Sequence, residues 1–337
     1  MSNLTGPLAS IVCPWCPLHC DDLVVDSDGS IRAGHCKRGT DALSKHPISR
    51  LDAEHLERLR RIDSIGVETA GVDLVTARQL VHLDAAGRIR LSVRCDDSIA
   101  AWIETTRRDG TSAGTLSEIA ARADFVWTIG ETESAWPRFA EKAGRLRVLD
   151  RGGRWMDDPL LDLDSMPARL ATIDAMEPAP EYLAVVIGPG AMRLNESAIT
   201  AGLLGRWIRR RNETQRTIGV TLDAAVTIQS VSLWQRNRTI NRLVDAGAAD
   251  PMEPVIRIGD AGPGDESKVD LQIGGSDPGP SRATMFQPAA QMGIHQRSMV
   301  VRGDGSVTLP LADIRGGVAS LPALPSIVER LRTVLND

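Results

Sequence analysis

Apolar residues recur at helical spacing from about Leu51 onward, and before that point they do not. The first 40 residues are instead rich in Cys, Pro, Gly and Asp, a composition that suits loops organised around a ligand. Leu51, Leu56, Leu59 and Ile62 approximate one face of a first helix among Glu and Arg. A second helix is predicted from Asp73, whose carboxylate can accept the free amides of the first turn. It turns Leu74, Ala77, Leu80 and Val81 inward and ends at Gly87.

The pattern then alternates between periods of two and of 3.6. Ile89 to Val93 is a short β-rich run, Asp97 to Arg107 a helix, and Thr115-Leu116-Ser117-Glu118 a capping box that opens another helix. Phe125 to Ile129 is a buried-type strand closed by Gly130, Trp136 to Ala143 reads as helix, and Leu146 to Leu149 as a further strand. Between Asp157 and Pro180 the chain is rich in Asp, Met and Pro, which predicts a linker or crossing segment. A second alternating unit begins with the strand Leu183 to Ile187 and the turn Gly188-Pro189-Gly190. Its helix, Asn195 to Arg210, turns Ile199, Leu203, Leu204, Trp207 and Ile208 inward, and strands follow at Thr217 to Leu222, Val255 to Ile258 and Val269 to Ile273.

Near the end, Met299 to Arg302 and Val307 to Leu309 flank Gly303-Asp304-Gly305 and predict a hairpin, with a last helix over Pro325 to Leu335. Alternation of this kind predicts an α/β fold of Rossmann-like parallel-sheet units with helical crossovers, behind a small Cys-rich amino-terminal region. The expected boundaries are 1–50 for the Cys-rich region, 51–178 for the first α/β unit and 179–290 for the second. Residues 291–337 form a hairpin and helix packing back on the first unit.

Composition narrows the function classes. The chain has 337 residues, 42% hydrophobic and 25% charged, enough for one or two cores without disulfide support. Its formal net charge is −5, so the overall field does not attract nucleic acid or an anionic membrane surface. Arg206, Arg209, Arg210 and Arg211 form a local basic patch, but Arg far outnumbers Lys throughout, and a solvated helix face is the simpler reading. One Tyr and three Phe beside seven Trp leave few platforms for stacking bases. No run approaches the roughly 18 apolar residues of a membrane span, and the cytoplasm is the expected location.

Four of the five cysteines fall within the first 36 residues. Cys13, Cys16, Cys20 and Cys36 are spaced C-x2-C-x3-C-x15-C. Three thiolates on one loop can take three corners of a cubane cluster while a fourth arrives from a second loop, and this spacing favours a 4Fe-4S cluster. Four thiolates also make a closed tetrahedral zinc site, and a vestigial, vacant motif is the third reading. His19 and His35 read as neighbours of the ligands or as surface residues. The turn Gly188-Pro189-Gly190 reads as a plain strand-to-helix turn rather than a phosphate loop, and Asp157, Asp158, Asp162 and Asp164 as solvated carboxylates.

The fourth cysteine stands in Cys36-Lys37-Arg38-Gly39. A C-x2-C-x3-C set followed by a lone Cys, a basic residue and Gly resembles the opening of the molybdenum and tungsten pterin oxidoreductases. The run Val12-Cys13-Pro14-Trp15-Cys16-Pro17-Leu18-His19-Cys20-Asp21-Asp22-Leu23 is similar, within that superfamily, to the B subunit of formylmethanofuran dehydrogenase. The two acids after the third Cys are the narrowing feature. Thr115 to Ile119, Arg122-Ala123-Asp124 leading into Phe125 to Gly130, and Trp136-Pro137-Arg138-Phe139 resemble a second stretch of that family. Ile273-Gly274-Gly275-Ser276-Asp277-Pro278-Gly279 resembles its strand-to-Ser-Asp-Pro turn near a pterin.

The resemblance implies a molybdopterin oxidoreductase type of fold. It places Lys37 between cluster and pterin, and it makes Cys95, just past the strand Ile89 to Val93, a candidate ligand of a pterin-bound molybdenum or tungsten. An ordinary half-buried cysteine is the competing reading of Cys95. Catalytic members of the family continue with a longer loop bearing a Cys-His-Gly group, whereas here Arg107 to Ser112 leads directly to the capping box. The chain therefore looks more like the bacterial version of the subunit, in the formyltransferase/hydrolase complex that moves a formyl group from formyl-tetrahydromethanopterin to a methanofuran-type carrier and hydrolyses it to formate. That resemblance implies a structural subunit with the complex's other subunits as partners. An active tungsten- or molybdenum-pterin subunit with a cluster relay is a second expectation, and a zinc- or cluster-binding module outside one-carbon metabolism a third.

Overall fold

A computed structural model describes residues 11–25, 31–32, 36, 49–54, 57, 65–240, 255–260, 267–314 and 321–336. The short strands β1 (Val24–Val25) and β2 (Ile31–Arg32) pair antiparallel. Next come β3 (Ile65–Thr69), α1 (Leu74–Ala85), β4 (Ile89–Val93), α2 (Asp97–Asp109) and α3 (Leu116–Arg122). They are followed by β5 (Phe125–Ile129), the short helices α4 (Thr132–Ala135), α5 (Phe139–Lys142) and α6 (Arg145–Asp150), β6 (Arg154–Asp158) and α7 (Met166–Asp174). The chain continues through β7 (Tyr182–Ile187), α8 (Ser197–Arg211), β8 (Arg216–Val220) and α9 (Val226–Arg236). It ends with β9 (Val255–Ile258), β10 (Val269–Ile273), β11 (Ala283–Gln287), the antiparallel hairpin β12 (Ser298–Val301) and β13 (Thr308–Leu311), and α10 (Leu324–Asn336). Among the described residues no helix is long and apolar enough to cross a membrane.

The chain divides into two compact units, and the second is inserted in the first. Residues 1–15, 19–95 and 224–337 form one, residues 16–18 and 96–223 the other. In the first unit a parallel sheet runs β11-β10-β9-β3-β4. Ile65, Val67, Leu91, Val93, Ile256, Ile258, Leu271 and Ile273 turn one face into a core shared with Ala77, Leu80 and Val81 of α1, Ile228 and Val231 of α9 and Val328 of α10. α1 starts where Asp73 accepts the amides of Val75 at 2.9 Å and Thr76 at 3.1 Å, which satisfies two otherwise orphaned donors. The opposite face carries Glu68, Arg257 and Gln272, aligned across three adjacent strands and all buried.

The second unit's sheet runs β6-β5-β7-β8, again all parallel. Every residue of β5 and β7 is buried, as expected when crossovers cover both faces of a sheet. α2 and α8 pack together over one face, and Trp127 of β5 meets Trp207 of α8 edge to face at 6.2 Å and 87°. Glycine sets these distances. A Cβ on Gly219 of β8 would fall 2.1 Å from Trp102 Cζ2, so the indole of α2 lies flat on the strand only because that position has no side chain.

Several expectations shift. Leu146 to Leu149 is not a strand but part of α6, since Leu146 and Leu149 are exposed and only Val148 of that helix is buried. So short an apolar run does not separate helix from strand by periodicity. The strand is instead β6, whose polar text Arg-Trp-Met-Asp-Asp hid it; Trp155 is covered from above by the Arg145 guanidinium, 5.5 Å from the ring. The linker expected over Asp157 to Pro180 contains the end of β6 and the helix α7. The boundary expected between 178 and 179 divides neither sheet from the other, because β7 and β8 pair with β5 and β6, while β9 to β11 join β3 and β4. Ile199 is exposed rather than inward. The helix expected over Leu51 to Ile62 lies largely outside the described residues.

Two glycines give a contrast that tests the packing of the second unit. Gly219→Ala is expected to destabilise by about 1–3 kcal/mol through overpacking against Trp102. Gly202→Ala, inside α8 with its nearest neighbour 3.7 Å away, is expected to stabilise by about 1 kcal/mol. Urea denaturation of both variants reads the sign directly.

Candidate functional site

The cysteine loop folds as a tight excursion. Ile11 and Leu23 exchange backbone hydrogen bonds at 3.0 and 3.1 Å, and inside them the Cys13 amide donates to the Cys20 carbonyl at 2.7 Å. His19 adopts φ 43°, in the left-handed region, which turns its ring back onto the loop. Its Nδ1 lies 3.0 Å from the Cys13 carbonyl, and because a carbonyl only accepts, that bond requires the proton on Nδ1. Burial pushes the His19 pKa below the usual histidine value. Cys13 and Cys20 are buried, Cys16 and Cys36 half-buried, and none of the five cysteines is in a disulfide. Lys37 and His35 lie outside the described residues.

Among the described residues, no three His, Cys, Asp or Glu side chains are gathered into a set that could hold a metal ion. Cys13, Cys16, Cys20 and Cys36 are the residues that would hold a cluster or a zinc ion. Cys95 sits half-buried one residue past Arg94, at the carboxyl edge of β4. It shares that edge with the point where chain order reverses: β3 leads to β4 on one side, and the strand on its other side is β9. In open α/β sheets such a crevice is the usual ligand position.

Here that edge is tied together by the chain's own groups. Thr69 Oγ1 donates to the Ile258 carbonyl at 2.9 Å, and Asp260 Oδ1 accepts the Ser276 amide at 2.6 Å. Gln272 Nε2 donates to the carbonyls of Gly274 and Ser276 at 3.1 and 2.9 Å, pinning the Gly-Gly-Ser-Asp turn from beneath. Just behind lies a buried ionic cluster. Arg94 Nη1 donates to both oxygens of Glu68 at 3.0 and 2.9 Å, and Arg257 Nε donates to Glu68 Oε1 at 2.7 Å. Ser267 Oγ accepts from both arginines, at 3.0 and 2.6 Å. Glu68, Arg94 and Arg257 are 4%, 8% and 0% exposed, so each charge depends on the others for solvation.

The second unit's reversal point, between β5 and β7, is closed more completely. Gly188 donates to the Ile129 carbonyl and Glu131 to the Pro189 carbonyl, both at 2.8 Å. A Cβ on Gly130, which has φ 86°, would fall 2.5 Å from the Pro189 carbonyl oxygen, so two loops meet there backbone to backbone. Asp96 locks the arrangement: Oδ1 caps α2 through the Ser98 and Ile99 amides, and Oδ2 accepts the Gly190 amide at 3.1 Å. Gly188-Pro189-Gly190 is thus a structural turn. Asp158 is not solvated as expected, because it accepts from Trp127 Nε1 at 2.7 Å and pairs with Arg169 at 2.7 Å. Asp157 accepts from Trp155 at 2.9 Å and from the Thr128 hydroxyl, and Asp162 from Ser165 and Arg193.

The Glu68 cluster and Asp96 were not singled out by sequence reasoning. A signal existed for the first: Glu68 and Arg257 each interrupt an apolar strand run with a charge, and the charges are opposite.

No protein-family model matches the sequence, and a search of curated proteins finds no match. Solved structures do match. One is a chain of the X-ray crystal structure of the formyltransferase/hydrolase complex (FhcABCD) from Methylorubrum extorquens in complex with methylofuran, with a TM-score of 0.61 over 86% of this chain and 98% of that one. Sequence identity is 14%. The likeness is therefore one of fold.

Removing the carboxylate tests how much the first unit rests on its cluster. Glu68→Gln removes the carboxylate that two buried guanidinium groups share and is expected to destabilise the first unit by about 3–5 kcal/mol in urea denaturation. Asp96→Ala, which removes a cap and the tie to Gly190, is expected to cost about 1–2 kcal/mol.

Proposed function

We propose that this chain is the B-subunit-type component of a formyltransferase/hydrolase complex in tetrahydromethanopterin-linked one-carbon metabolism, and that its role there is structural. The observation that carries the reading is the fold likeness to a chain of such a complex, which spans nearly all of that chain and most of this one. Two independent features support it. The cysteine run with its paired acids, Cys20-Asp21-Asp22, resembles the same subunit. Among the described residues, the sheet edges where a substrate would sit are tied together by Asp96, Asp260, Gln272 and the Glu68 cluster. In this reading the formyl transfer and hydrolysis belong to partner subunits, and Cys13, Cys16, Cys20 and Cys36 are an inherited cluster motif. Cys95 is not needed for formate release.

Affinity purification of the tagged full chain from its native cells tests the proposal. The expected result is co-elution with other polypeptides and release of formate from formyl-tetrahydromethanopterin in the presence of the carrier. A chain that elutes alone without that activity overturns it. Elemental analysis of the same anaerobic preparation is expected to show no stoichiometric molybdenum or tungsten. Their presence would instead favour a catalytic subunit with Cys95 on the metal and Lys37 between cluster and pterin, and zinc alone a metal-binding module. About four irons per chain would mark the cysteine motif as a filled 4Fe-4S site without altering the structural role.

A further inference from the structure

We propose that the groove lined by Arg108, Asp109, Gly202, Arg206 and Arg209 on the second unit binds the phosphate group of a small phosphate ester. The groove is open to solvent and offers about 520 Å³, within the ~300–1,000 Å³ typical of small-molecule sites. Its lining sets three guanidinium groups against one carboxylate, an excess of positive charge that a phosphate dianion would neutralise. Forked guanidinium donors match the several oxygens of a phosphate better than a single carboxylate can.

The ordinary explanation for arginine in this place is helix capping, and it accounts for part of the cluster. Arg209 Nη1 donates to the carbonyls of Asp109 and Gly110 at 3.4 and 2.8 Å, closing the carboxyl end of α2. Arg108 forks onto Asp109, Nε to Oδ1 at 2.8 Å and Nη2 to Oδ2 at 2.7 Å. Arg206 is different. It stands in the interior of α8, is exposed, and among the described residues its one hydrogen bond is a 3.4 Å contact from Nε to the Gly202 carbonyl of its own helix. Both terminal amino groups of its fork are thus available at the groove wall.

Gly202 makes the second argument. Glycine weakens the helix it sits in, and this one is not required by packing, since an added Cβ would meet only Arg108 Nη2 at 3.7 Å. Gly205, one turn on, is needed: a Cβ there would press Thr105 Cγ2 at 3.0 Å where α2 and α8 touch. Gly202, itself buried, adds no side chain to the groove, which leaves the wall to the arginines. The same charges are felt by Asp109, whose carboxyl is held below the usual carboxylate range by the Arg108 hydrogen bond first and by the fields of Arg209 and Arg206 after it.

The test is isothermal titration of the full chain with inorganic pyrophosphate at constant ionic strength. Saturable binding is expected in the unaltered chain, weakened by about tenfold or more in Arg206→Gln and unchanged in Arg193→Gln, which removes a distant exposed arginine paired with Asp162 and Glu196. Circular dichroism establishes that each variant is folded; should Arg206→Gln fail to fold, Arg108→Gln reads the same loss. No saturable binding in the unaltered chain, or an equal loss in Arg193→Gln, overturns the proposal.

Discussion

A carboxylate taken out of water must find its solvation in the protein, and in the first unit Glu68 finds it in two arginines brought from different parts of the chain. Arg94 arrives from the end of β4, Arg257 from the middle of β9, and the Ser267 hydroxyl before β10 completes the shell. β9 enters the sheet far from β3 and β4 in sequence, with residues 96–223 of the second unit inserted between β4 and β9. An apolar residue at position 68 would accept many registers. A charge that is buried only when two specific donors reach it accepts one, since sliding β9 by a residue would turn Arg257 to the opposite, apolar face. The cluster thus specifies register where the intervening insertion makes misalignment easy, and its contribution to net stability is secondary to that.

The two sheets solve the same covering problem by different chemistry. In the second unit β5 and β7 are apolar on both faces, and register is set by shape: the indole of Trp102 fits against Gly219, and two tryptophans cross edge to face. In the first unit only one face is apolar, and the other is organised by Glu68, Arg257 and Gln272 in one transverse row. Both units then seal the crevice at their reversal point with an aspartate, Asp96 in one and Asp260 in the other, each accepting an amide from a glycine-containing turn. Those aspartates stand where many α/β proteins place a ligand. Here they serve loop geometry.

The sequence made local features legible and long-range ones only in part. The cap at Asp73, the capping contact from Thr115 to the Glu118 amide, the strand Phe125 to Ile129 and the hairpin near Gly303 follow from turn chemistry and periodicity, which act within a few residues. What failed has a common cause. β6 is an edge strand whose apolar content is one Trp and one Met, so its period is weak, while the exposed Leu146 and Leu149 counterfeit a strand. The boundary at 178/179 was drawn where composition changed, but sheet membership is decided by pairing, and pairing between β3 and β9 is invisible to any local window. Of the candidate site, Cys95 was correctly expected past a strand's carboxyl edge.

Fold likeness and site chemistry answer different questions, and this chain separates them. The arrangement of two parallel sheets extends over nearly the whole of a chain from a formyl-transferring complex at 14% identity, a level at which cores are rebuilt while topology survives. Within such a scaffold, the residues that resist rebuilding for structural reasons are those whose partners must change with them. Glu68 with Arg94 and Arg257, Asp158 with Trp127 and Arg169, and Arg211 with Asp174 and the Trp207 face are of this kind, each charge answered by a partner of the same unit. The abundance of arginine in the sequence is therefore not evenly idle. Most of the arginines among the described residues close a helix end, cross a sheet or answer a carboxylate, and the exposed guanidinium of Arg206 belongs with the smaller number turned to solvent.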